Sequence, residues 1–206
     1  MTELTPVALW LNSTFAGIDN AILSAFHAFA SAIYYALNPI FSLIGKIGEG
    51  GACFIAFAVI LLFFKKTRKA GICILLALLI GALITNLTLK GAIARPRPYV
   101  TSELYKSWWL SSGSYGNADL SFPSGHATAA TAAMTAWFLS RKSGKAFACA
   151  LAVAVIFYID RLYLIVHYPS DIAGGIIVGI FAGIVAYLIV SAISKAIKKR
   201  QQLTNN

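Results

Sequence analysis

Three polar clusters interrupt an otherwise apolar chain of 206 residues. The first runs from Lys90 to Arg97 and closes on Pro98. The second is Pro123-Ser124-Gly125-His126. The third joins Arg161, His167 and Asp171. Together they supply cations, two histidines, a hydroxyl and a carboxylate, a set that can bind a phosphate and attack it. A phosphate wants cations and several hydrogen-bond donors, and Lys90, Arg97, the nearby Arg95 and Arg161 offer them. Ser124 is a good N-cap for the Ala-rich run that follows, and Gly125 exposes its N–H with no side chain in the way. The start of that helix is an anion site, because its first N–H groups are unbonded and its dipole end is positive. His126 stands in the first turn and points at the same anion. His167 and Asp171 are spaced i, i+4, on one face of an intact helix, although Pro169 favours a turn. A carboxylate bonded to one ring nitrogen leaves the other available for attack. Each cluster also has a plainer reading by itself: a solvated exit turn, a capped helix start, and an aspartate capping the next helix.

The elements that position these clusters follow from hydropathy. The chain is 59% hydrophobic and only 12% charged, where a soluble domain is about one quarter charged, and its mean hydropathy is +0.76. A spanning helix needs about 20 mainly apolar residues. Six stretches qualify, at roughly 21–45, 50–64, 70–90, 124–140, 145–165 and 172–194. Asn38-Pro39 predicts a kink or early end in the first, and Gly48, Gly50 and Gly51 set the start of the second. Leu4, Val7, Leu11 and Phe15 recur at helical spacing, with Trp10 beside them, and predict an interfacial helix over residues 4–19, or else the ordinary first turn of helix one. The expected fold is all-α: a polytopic membrane bundle of six transmembrane helices plus that N-terminal helix. No polar linker divides the chain, so residues 1–206 read as one domain with its core at about 50–190.

Charge decides orientation and excludes other classes. The net charge is +10, but the cations flank the apolar runs and leave no basic face for nucleic acid. Lys65, Lys66, Arg68 and Lys69, then Arg141, Lys142 and Lys145, then Lys195, Lys198, Lys199 and Arg200 fall on one side of a six-span layout, eleven of the seventeen Lys and Arg. The positive-inside rule makes that side cytoplasmic, with both termini inside. All three polar clusters then map to the opposite, outer face. Cys53, Cys73 and Cys149 lie inside apolar runs with no CxxC or metal-ligand spacing, so neither a metal, a cofactor nor a disulfide framework is expected. The N-terminus lacks the pattern of a cleaved signal peptide. Gly174, Gly175, Gly179 and Gly183 form a small-residue face that serves either self-association or internal packing, and the oligomeric state is left open.

The order Lys-x6-Arg-Pro, Pro-Ser-Gly-His, Arg-x5-His-x3-Asp resembles the type 2 phosphatidic acid phosphatase family of integral membrane lipid phosphatases, related to vanadium haloperoxidases. Lys90, Arg97 and Pro98 fit the first motif, and its spacing selects Arg97 over Arg95. Residues 123–126 fit the second, and Arg161, His167 and Asp171 the third. The likeness covers about residues 50–190. It implies a metal-independent, two-step phosphoryl transfer. His167 attacks phosphorus and becomes a phosphohistidine, Asp171 orients His167, and His126 protonates the leaving oxygen and then activates water. Lys90, Arg97, Ser124, Gly125 N–H and Arg161 hold the phosphate oxygens. One position departs from the family pattern: Asp160 stands where a serine usually precedes the motif-three arginine. It either pairs with a nearby cation or, facing the pocket, repels the substrate.

A site at the outer membrane face favours a lipid phosphate as partner, with undecaprenyl pyrophosphate, phosphatidate, phosphatidylglycerol phosphate and diacylglycerol pyrophosphate as candidates. Tyr99, Tyr105, Trp108, Trp109 and Tyr115 in the outer segment 91–123 suit a headgroup layer. They predict a membrane-lying flank to a lateral entrance, or a plain aromatic belt. Three rival readings are a lipid phosphotransferase with the same residues, a phosphatase of soluble sugar phosphates, and a transporter. Clustering at one face instead of the midplane argues against the transporter.

Overall fold

The computed structural model describes residues 4–116 and 120–204, and these residues are helical without strands. Four helical stretches are long and apolar enough to cross a membrane: Asn38–Leu62, Arg68–Thr101, Gly144–Tyr163 and Pro169–Thr204. The bundle is built from α4 (Ala52–Leu62), α5 (Arg68–Ala82), α9 (Gly125–Arg141), α10 (Gly144–Tyr163) and α11 (Pro169–Thr204). Helix α9 is the central one. Its alanines 127, 130, 132, 133 and 136 are buried, and their small side chains let three neighbours pack closely. Ser124 caps it as expected, accepting from Ala127 N at 3.4 Å. The glycine stripe of α11 packs inward on this helix. A Cβ built on Gly175 would stand 2.7 Å from Ser124 O, and one on Gly179 2.8 Å from Thr128 O. Self-association is therefore not what this stripe is spent on.

The basic loops meet at the bundle end away from the polar clusters. Lys69 Nζ and Lys142 Nζ lie 5.2 and 5.6 Å from the Tyr187 ring centroid. At the other end, α5 passes through π-helical turns at Leu83–Leu89 into α6 (Lys90–Ile93), and α7 (Pro98–Thr101) and α8 (Glu103–Ser111) follow. Within the expected outer segment 91–123, residues 117–119 lie outside the described residues.

The expected first span over about 21–45 is corrected. Helix α1 (Pro6–Thr14) is a separate element capped by Thr5, and α2 (Ala16–Ala32) ends well short of residue 45. Tyr34 and Tyr35 take positive φ, and α3 (Asn38–Gly48) starts anew with proline in its first turn. Pro39 removes a helical donor and clashes backwards, which forbids a continuous helix. More importantly, α2 packs at the polar end. Leu23 packs on Ile165 and Tyr168, and Phe26 and Ala30 pack on Tyr99, Tyr163, Leu164 and Val166. These partners all sit near the α10–α11 turn, so α2 lies across the polar end. On α1 the packed face is Ala8 and Leu11, while Val7 and Trp10 point outward. Helix α4 begins where the glycines predicted: Gly51 precedes it with φ of 75°, the left-handed region open to glycine, although the stretch long enough to cross a membrane starts earlier, at Asn38.

Candidate active site

A cavity of about 390 Å³ opens at this end of the bundle, and Lys90, Arg97, Gly125, His126, Arg161 and His167 line it together. Local chemistry explains why. The π-helical turns before Lys90 widen α5 and bring Thr85 and Asn86 to the wall; such turns recur at functional sites. Thr85 Oγ1 also meets Thr128 Oγ1 on α9 at 3.1 Å. Gly125 and His126 open α9, as the N-cap reading requires. Arg161 ends α10, and His167 follows in the turn to α11.

Arg97 fixes the state of His167. Its Nη1 donates to Val166 O at 2.8 Å and contacts His167 Nε2 at 3.3 Å. An arginine only donates, so Nε2 is the accepting nitrogen and Nδ1 carries the proton. Burial pushes the His167 pKa well below its ordinary value of 6.5, and the charges of Arg97, Arg161 and Lys90 push it further. The ring is neutral, with its Nε2 lone pair on the cavity side.

The contact expected between His167 and Asp171 is corrected in detail. Nδ1 and Oδ2 are 3.6 Å apart, too far for a hydrogen bond. Ser121 lies between them: its hydroxyl donates to Asp171 Oδ2 and sits 3.4 Å from His167 Nδ1. Asp171 Oδ2 also accepts from Tyr168 N at 2.8 Å. Asp171 and Ser124 are both buried beside the cavity rather than on its lining. His126 Nε2 donates to Gly45 O at 3.0 Å, because a carbonyl can only accept.

Asp160 takes the first of its two expected roles. It is fully buried, absent from the cavity wall, and accepts from Arg161 Nε at 2.5 Å. The guanidinium is thereby held under the ring of Tyr115, 5.1 Å from its centroid.

Several participants escaped the sequence reading. Lys46, Glu49, Gly50 and Gly51 line the cavity, because α3 closes over it. A Cβ on Gly45 would stand 2.1 Å from Arg161 Nη2, and one on Gly48 2.9 Å from His126 Cδ2. The Gly45/Gly48 spacing, i to i+3 on one helix face, was the available signal. Arg95 lies outside the cavity, bound to Asp171 Oδ1 at 2.6 Å and Asp19 Oδ2 at 3.0 Å. No local spacing could show that link, since Asp19 and Asp171 flank Arg95 from 76 residues away on either side. Of the outer aromatics, Tyr99 is buried and stacks on Trp109 with centroids 4.4 Å apart.

The chain is 29% identical over 144 residues to an undecaprenyl-diphosphatase of Sulfolobus acidocaldarius, a match covering 69% of this chain and 66% of that relative, just under two thirds of its length. Its fold is similar to the crystal structure of a transmembrane PAP2-type phosphatidylglycerolphosphate phosphatase from Bacillus subtilis. The TM-score is 0.56 at 25% identity, covering 92% of this chain and 96% of that one. A family model described as the PAP2 superfamily matches residues 70–195. That match spans α5 to most of α11 and all three polar clusters, and the chain belongs to the PAP2 superfamily.

Proposed function

We propose that this membrane protein is a lipid phosphatase that hydrolyses a phosphate monoester or diphosphate headgroup through a phosphohistidine at His167. One observation carries the reading: four cationic side chains, Lys46, Lys90, Arg97 and Arg161, and two histidines converge on one cavity, with Arg97 leaving His167 Nε2 as a neutral, lone-pair nitrogen. A phosphate entering there takes the Arg97 donors and lies in line with Nε2. Nε2 attacks phosphorus as the bond to the leaving oxygen breaks. His126, protonated beside the bound phosphate, gives that oxygen a proton, exchanging Gly45 O for the substrate. The charge on the phosphorylated ring is shared through Nδ1–H with Ser121 and Asp171. His126 then takes a proton from water as the water attacks, breaking the P–N bond and releasing phosphate. Lys90, Arg97, Arg161 and the Gly125 N–H bind the equatorial oxygens where charge accumulates. Ser124 supports this last donor by capping its helix. Residues 1–206 act as one unit.

The substrate is a lipid of the kind named for the relatives, undecaprenyl diphosphate or phosphatidylglycerol phosphate, or phosphatidate. The cavity stands at the membrane end opposite the basic loops, which supports an extracytoplasmic site and a cytoplasmic C-terminus. In place of six spans we favour five, formed by Asn38–Leu62 (α3 together with α4), α5 with the turns that extend it, α9, α10 and α11. Helices α1 and α2 then stay on the site's side, since the buried residues of α2 pack on elements of that end, and the N-terminus lies there too.

A phosphate-release assay in detergent with a panel of these lipids, with and without EDTA, tests the function. Free phosphate at equal rates in both arms is expected. Label passing to a second lipid without free phosphate would replace hydrolysis by phosphotransfer. Loss with EDTA would overturn the metal-independent mechanism.

A further inference from the structure

Beside the pair His167 and Asp171 lies a buried cluster that the mechanism above does not use. Arg95 is 1% exposed and stands behind the cavity. Its Nε donates to Asn12 Oδ1 at 2.8 Å. Its Nη1 donates to Ser170 Oγ at 2.7 Å and Asp171 Oδ1 at 2.6 Å, and its Nη2 to Asp19 Oδ2 at 3.0 Å. The guanidinium also lies over the Tyr168 ring, 4.0 Å from its centroid. Asp19 does more than pair with it. Its Oδ1 accepts from Ser170 N at 2.9 Å and its Oδ2 from Ser170 Oγ at 2.6 Å. The turn that carries His167 and Asp171 is thus held on its outer side by α2.

The geometry of arginine makes this consequential. Its donors form a rigid planar fork. Holding Nε and Nη2 on Asn12 and Asp19 fixes the plane, and the plane fixes where Nη1 meets Asp171 Oδ1. With Oδ1 pinned, Oδ2 faces Ser121 and the Nδ1 side of His167. Both holding residues sit on α1 and α2, outside residues 70–195 that match the family model.

We propose that Asp19, assisted by Asn12, is a positioning residue that acts through Arg95 to fix the Asp171 carboxylate and hence the ring of His167. The N-terminal helices then complete the reacting pair besides covering the bundle end. This rests on the roles given to His167 and Asp171 above.

A double-mutant cycle on the purified full chain separates positioning from plain structure. Asp19→Asn keeps the shape and removes the charge. It is expected to lower kcat about tenfold with KM within about twofold, the size typical of a removed orienting partner. In an Asp171→Asn background the same substitution should cause no further loss, because the group it positions is already gone. A wild-type kcat for folded Asp19→Asn, or an equal loss in both backgrounds, overturns the proposal. Should Asp19→Asn fail to fold, Asn12→Ala takes its place, with a loss of about threefold expected that is again absorbed by Asp171→Asn. Failure of both variants to fold assigns the cluster to stability alone and also overturns it. His167→Ala is measured alongside. Retained turnover there would sink the reading of the pair itself, whereas a dead His167→Ala with an unaffected Asp19→Asn sinks only the positioning role.

Discussion

Arg95 and Arg97 are separated by one proline and do opposite work. Arg97 ends in the cavity, against His167 Nε2 and the Val166 carbonyl. Arg95 turns away and is consumed by two carboxylates, an amide, a hydroxyl and an aromatic face. Pro96 explains the divergence: with no helix possible through Arg95-Pro96-Arg97-Pro98, neighbouring side chains leave the backbone in unrelated directions. The pair teaches that a charge count near a site says little until the partners are known. One side of His167 presents cations to a cavity that takes an anion. The other side is a closed, mutually satisfied network.

Arg95→Ala leaves Asp19 and Asp171 buried without their shared cation. Breaking such an arrangement costs about 3–5 kcal/mol, so the variant should unfold at markedly lower temperature in detergent, or fail to accumulate. Arg97→Ala should cost less stability, about 1–3 kcal/mol for the buried Val166 carbonyl left without its donor, and lose kcat/KM by about 10² to 10³, the scale of one lost oxyanion donor. Similar stability for the two variants would erase the distinction.

Burial and nearby cations depress the pKa of His167, so its neutral form persists as pH falls through 6.5, and the acidic limb of kcat/KM should lie well below that value. Removing one cation eases protonation and raises the pKa. The acidic limb of Arg97→Gln should therefore move to higher pH. A limb at or above pH 6.5 in the wild type would contradict the buried neutral ring.

Two smaller effects sharpen the cavity side. Asp160→Asn removes the charged acceptor that aligns Arg161 and should cost about tenfold in kcat/KM, since charge-assisted bonds hold such forks in place. An increase would mean that Asp160 opposes the substrate after all. Glu49→Gln removes a carboxylate from the cavity wall and should lower KM by about two- to threefold for an anionic lipid, a screened surface effect.

Much of the cavity was legible in the sequence, because ionisable groups at the ends of apolar runs are costly and stand out. Lys90, Arg97, His126, Arg161 and His167 were readable for that reason, and Ser124 and Gly125 through the helix-cap pattern. The rest depended on long-range geometry. Hydropathy cannot show that an apolar run is broken between Ala32 and Asn38 and that α2 packs on the polar end, so α2 and α3 read as one span. Gly45 and Gly48 looked like ordinary small residues until Arg161 and His126 were seen against them. Thr85, Asn86 and Ser121 carry no spacing signature. Asp160 stood out only as an exception, and its partner was its own neighbour.

The central claim is that His167 takes the phosphoryl group in this cavity. Its most direct test is phosphate release from a lipid diphosphate by His167→Ala, compared with the wild type at equal amounts of folded protein. Release is expected to fall to the level of buffer alone, while thermal unfolding and the dispersity of the purified protein stay near those of the wild type. Release by folded His167→Ala at the wild-type rate would contradict it and would require another nucleophile.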